Sequence, residues 1–169
     1  MSLVLKRKAA LGLGGAVALA TLGVAIPGYA TAAGGPFAGL SGSWSGGGVI
    51  SMADGSQERI HCRAHYSAGA GGRSLSQNMH CASASSSLQI SAFVVDQDGV
   101  LSGTWSEASH GVSGSISGRV SGSTIRAYVS GGSFNAGVGI DLRGDSHSVT
   151  ITPSSNVDIR SVSVSMRRG

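Results

Sequence analysis

From Leu40 to Met166, apolar residues recur at every second position, in runs broken at short intervals by turns rich in Gly, Ser and Asp. A period of two is the signature of strands with one apolar face. "ERIHCRAHY" sets Ile60, Cys62, Ala64 and Tyr66 against Arg59, His61, Arg63 and His65. "SLSQNMHCA" sets Leu75, Gln77, Met79 and Cys81 against Ser76, Asn78 and His80. "SLQISAFVV" alternates Leu88, Ile90, Ala92 and Val94 before the turn at Asp98-Gly99. Further segments keep the pattern through Leu101, Gly103 and Trp105, then Gly114, Ile116 and Gly118, and later Phe134 to Leu142 and "HSVTI". In "VDIRSVSVSM" the phase changes between Ile159 and Val162, and a one-residue bulge at Arg160-Ser161 keeps both sets inward.

This predicts nine or ten short strands and, beyond the N-terminus, no helix. Turns this short cannot cross over a sheet, so consecutive strands pair antiparallel. A long meander exposes two edges unless it closes, and closure gives an all-β, up-and-down barrel of about 8–10 strands. A two-sheet sandwich is the runner-up. In-facing Gly103, Gly114 and Gly118 suit a tightly curved wall.

The N-terminus reads as an export signal. Lys6, Arg7 and Lys8 precede an apolar run, Ala9 to Ile26, with Pro27-Gly28 and the small-residue site Ala30-Thr31-Ala32 after it. The division expected is a signal peptide at 1–32, a flexible trunk at 33–38 and a barrel domain at 39–169, placed in the periplasm or outside the cell. A retained anchor is the competing reading of the apolar run. The chain carries +4. Without Lys6, Arg7 and Lys8, nine arginines face eight carboxylates, a formal +1. Nucleic-acid binding, which wants clustered cations and stacking aromatics, is set aside on that basis.

Only two cysteines are present, Cys62 and Cys81. Pairing their strands across the "GAGG" turn puts Cys62 opposite Cys81 and Ala64 opposite Met79. Opposed strand positions lie within disulfide reach, and an exported chain meets an oxidising compartment. A catalytic thiol fares worse, because His61 adjoins Cys62 and points to the other face. His61, His65 and His80 share the outer face, where His65 and His80 lie diagonally opposed. A metal there is the minor reading, and a solvated basic face the ordinary one. His110 and His147 stand in or beside turns. "GDSHS" lacks the second glycine of a nucleophile elbow, and Arg143-Gly144-Asp145 needs no explanation beyond a turn. No cofactor, metal or catalytic residue is expected, and the protein is read as a non-enzyme.

Gly42-Ser43-Trp44 resembles the G-x-W signature of lipocalins and the wider calycin barrels. The resemblance implies a Trp plugging one barrel end with an arginine of the last strand over it, a role offered by Arg160, Arg167 or Arg168. Arg167 is named for it, with Trp44, Trp105 and Phe93 as plug or ligand-lining residues. A first-strand G-x-W followed by two cysteines is also similar to small periplasmic inhibitors of bacterial metalloproteases, in which an N-terminal trunk enters the protease. "AAGGPFAG", Ala32 to Gly39, would be that trunk. The whole resembles exported proteins of proteobacteria. Three functions follow as expectations: a binding module for a small apolar ligand or an envelope component, a protease inhibitor acting through its trunk, or a structural surface protein.

Overall fold

The computed structural model describes residues 34–154 and 157–169. The expected signal segment, 1–32, lies outside the described residues. Ten strands follow in order: β1 (Gly42–Met52), β2 (Gln57–Gly69), β3 (Ser74–Ala82), β4 (Ser87–Gln97), β5 (Val100–Glu107), β6 (Val112–Ser121), β7 (Thr124–Gly131), β8 (Phe134–Arg143), β9 (Ser146–Pro153) and β10 (Ile159–Arg168). Each pairs antiparallel with its sequence neighbour, and β1 pairs with β10, so the sheet closes as an up-and-down barrel. Closure leaves no unpaired strand edge for another chain to join. Among the described residues the only helical element is the 3-10 turn Ala70–Gly72 between β2 and β3.

The pairing registers follow the apolar phase. Cys62 faces Cys81 and Ala64 faces Met79, and the two sulfurs are bonded at 2.06 Å. Ser51 pairs with Ser161 and Met52 with Ile159, so Arg160 is the extra residue that lets β10 change phase. With that bulge in place, Ile159, Val162, Val164 and Met166 all pack on the core.

In-facing glycines mark where the wall bends. A Cβ on Gly48 would collide with the Ser163 carbonyl of β10, and one on Gly114 with the Ser130 carbonyl of β7. These close approaches lie on opposite sides of the ten-strand ring, at the β1–β10 seam and around β6. Tight bending is therefore a property of the backbone there, made possible by missing side chains.

Candidate functional site

One end of the barrel is plugged. Phe37 and Leu40, from the segment before β1, are buried there with Trp44 of β1 and Met166 of β10. The segment is held by backbone bonds: Gly35 N–H donates to the Gly71 carbonyl (2.8 Å) and Phe37 N–H to the Gly72 carbonyl (3.0 Å). Trp44, 2 % exposed, donates its indole N–H to the Leu40 carbonyl at 2.8 Å. The stretch expected as a free trunk is thus docked from Gly34 onward, because Phe37 gains more by filling the barrel mouth than by facing water. A trunk committed to its own barrel withdraws the support it gave to the protease-inhibitor reading.

Arg168 closes this end. Its guanidinium lies 4.5 Å from the Trp44 ring centroid. It also donates to the carbonyls of Gly39 and Ser41, and Nε bonds Asp145 Oδ1 at 3.1 Å. Arg167, the residue named for this role, points outward and is exposed. The phase explains the correction: in-facing Val164 and Met166 are even-numbered, so Arg168 continues the inner row and Arg167 the outer one. Asp145, the acid of the Arg-Gly-Asp turn, anchors the plug arginine.

Beneath Trp44 lie Tyr66 and His147, which the alternation of "HSVTI" places on the inner face although His147 stands beside a turn. The Tyr66 hydroxyl and His147 Nε2 are 3.2 Å apart, and the Trp44 and His147 ring centroids 4.7 Å. Burial pushes the Tyr66 phenol up to about 12 and lowers the His147 imidazole, disfavouring the charged form of each. His147 Nδ1 is buried without a protein partner.

The other buried acids serve turns. Asp96 accepts from Gly99 N–H at 2.8 Å. Glu107, 7 % exposed, accepts from the backbone N–H groups of Gln89, Ser109 and His110 and contacts His110 Nδ1 at 2.7 Å. Desolvation would raise its carboxyl, but these donors outweigh that and lower it to about 2. A lowered folded-state pKa contributes stability that is present above the unfolded value and lost as pH falls through the folded one. Acid titration of the wild type should therefore lose this contribution between about pH 4.5 and pH 2. Glu107→Gln should be less stable at pH 7 by about 1–3 kcal/mol and lack that acid-limb loss. Urea midpoints measured at several pH values check both.

Away from the plug the interior changes character. In-facing Ile60, Cys62 and Cys81 are buried along β2 and β3. By contrast Ile90, Trp105, Ile116, Val129, Phe134 and Val138, which also face the axis, are only half-buried and stand outside the packed core. Trp105 and Phe134 meet edge to face at 5.9 Å between centroids. Phe93, expected with them, is 48 % exposed on the outer wall, because it is out of phase with Ile90, Ala92 and Val94. The outer face also carries His61, His65 and His80, all exposed. Among the described residues no group of three or more His, Cys, Asp or Glu could hold a metal ion.

These features define a closed ten-strand up-and-down barrel with one sealed end. The solved structures it resembles include Rv2717c from M. tuberculosis, with a TM-score of 0.63, 14% identity, and coverage of 78% of this chain and 94% of that one. A second is the S-type phycobiliprotein lyase CpeS from Guillardia theta, with a TM-score of 0.57, 12% identity, and coverage of 79% and 90% respectively. At such identities the likeness is one of fold. No protein-family model matches the chain. No curated protein matches it.

Proposed function

We propose that this protein is a non-enzymatic binding barrel that takes a small apolar ligand into the interior around Trp105, Ile116 and Val138. The observation that carries this is an uneven interior: Trp44, Tyr66 and Met166 are sealed at the plug, and Ile50, Ile60, Cys62 and Cys81 are buried along β1–β3, whereas Trp105, Ile116 and Val138 on β5, β6 and β8 are only half-buried. Apolar surface left facing a barrel axis is what a ligand of matching chemistry gains by covering. One fold neighbour is named a lyase. Among the described residues the acids in the inner phase are already engaged: Asp96 and Glu107 hold turn amides and Glu58 holds Ser85, while His147 lies under the plug beside Tyr66. Glu107, two residues from Trp105 on the same face, is thus committed to turn amides and His110 rather than to bond-making chemistry. The disulfide suits an oxidising compartment, so periplasmic or extracellular action goes with the proposal.

A fluorescent apolar dye titrated into the folded protein should saturate at one site per chain. Ile116→Gln should weaken binding about tenfold, whereas Phe93→Ser, on the outer wall, should leave it unchanged. Circular dichroism confirms that both variants fold. Non-saturable dye binding, or loss on changing Phe93 instead of Ile116, would overturn the proposal.

A further inference from the structure

The outer face formed by β10, β1, β2 and β3 has a charge pattern that the interior reading does not use. Along β2, Arg59, His61, Arg63 and His65 occupy successive outward positions, and all four are exposed. Strand rise sets neighbouring members about 6.7 Å apart and the row about 20 Å long. Register extends the row sideways: Arg63 pairs with His80 on β3 and with Ser45 on β1, and Ser45 pairs with Arg167 on β10. The lane beside β2 is shallow because β1 presents Ser43, Ser45 and Gly47 there. An open groove of about 470 Å³ occupies the Arg59–His61 end of this lane, lined by Gly47, Val49, Gln57, Arg59 and His61 and also by Glu58.

No Asp or Glu faces outward from these four strands. Glu58 belongs to the inner phase of β2, and its carboxylate bonds Ser85 N–H and Oγ, each at 2.7 Å. Among the described residues Arg59, Arg63 and Arg167 form no ion pair, whereas Arg73, Arg126 and Arg168 do. Arg59 and Arg63 stand about 13 Å apart along β2 with Arg167 two strands to the side, and unpaired forks so spaced fit an extended chain of anionic groups, each fork taking two oxygens of one group. The same strands place no Phe, Tyr or Trp outward; the rings on this face are the imidazoles of His61, His65 and His80, so the face is dominated by charge rather than by large stacking platforms.

We propose that this face binds a linear phosphate polymer lacking bases, laid along β2 in the lane over β1. The probe is end-labelled linear polyphosphate of graded length, followed by fluorescence anisotropy with the full barrel at low salt. Affinity should rise with length until the chain spans the row of about 20 Å and then level off. Arg59→Gln and Arg63→Gln should each weaken binding several-fold and reduce the salt dependence by about one charge. Arg119→Gln, on β6 across the barrel, should change nothing. These surface variants keep the core intact, so loss of binding is not loss of fold. Equal weakening by Arg119→Gln would mean diffuse charge attraction and overturn the proposal. So would tighter binding to single-stranded DNA, to a sulfated glycan or to anionic vesicles than to polyphosphate.

Discussion

Trp44→Ala should cost about 3–5 kcal/mol and lower Tm by roughly 10–15 °C, the largest effect of any single truncation in this chain. Among the described residues Trp44 is the largest fully buried side chain, and it joins the docked segment, the arginine cap and the His147–Tyr66 pair. Removing it leaves a cavity that the β-wall cannot collapse into, and strands the Leu40 carbonyl without its indole donor. Arg168→Ala should be nearly as damaging, about 3 kcal/mol. It removes charge-assisted bonds to Gly39, Ser41 and Asp145 as well as the contact over the ring. The two changes share one network, so the double variant should lose less than their sum. Arg167→Ala, one residue away and pointing outward, should move stability by less than about 0.5 kcal/mol. Thermal unfolding of the four proteins decides it; additive losses, or equal losses at Arg167 and Arg168, would show that no plug exists.

The second large effect lies in the wall. Replacing Cys62 and Cys81 together by alanine should cost about 3 kcal/mol, because the bond closes a loop of 19 residues in the unfolded chain. The register survives without it, since β2 and β3 are paired over nine positions. The barrel should therefore fold with an unchanged far-ultraviolet spectrum and a lower urea midpoint. Adding reductant to the wild type should reproduce that midpoint. Two titratable thiols in denatured, unreduced protein would contradict the bond, and an unchanged midpoint would show that it carries no stability.

How far the sequence alone reveals this structure depends on the kind of feature. Barrel closure, the Cys62–Cys81 register and the bulge at Arg160 follow from the period of two, because each in-facing residue fixes the phase of its neighbours. The same rule held the answers to two misplacements. Phe93 is one step out of phase with Ala92 and Val94, and Arg167 one step out of phase with Met166, so weighing aromatic or cationic character above phase sent both inside. His147 was legible too, standing in register with Val149 and Ile151, yet its place next to a turn hid it.

Other features were not legible. The docking of Phe37 depends on the cavity at the barrel mouth, which exists only once ten strands have closed; in the sequence, "GGPFAG" reads as an untethered leader. The uneven burial of the interior has the same origin. Ile125 and Ile116 look alike in their strands, but one is buried and the other only half-buried. Side-chain depth along a barrel is set by shear and by cross-barrel neighbours, and local periodicity encodes neither.

Ligand binding requires an interior packed beneath Trp44 and receptive around Trp105, Ile116 and Val138. Crystals pressurised with xenon test this directly, because the atom enters apolar space without needing a hydrogen bond. Xenon density among Trp105, Ile116 and Val138, with none between Trp44 and Tyr66, is the predicted result. A barrel that admits no xenon along its whole length, or admits it only beneath the Trp44 plug, would contradict the account.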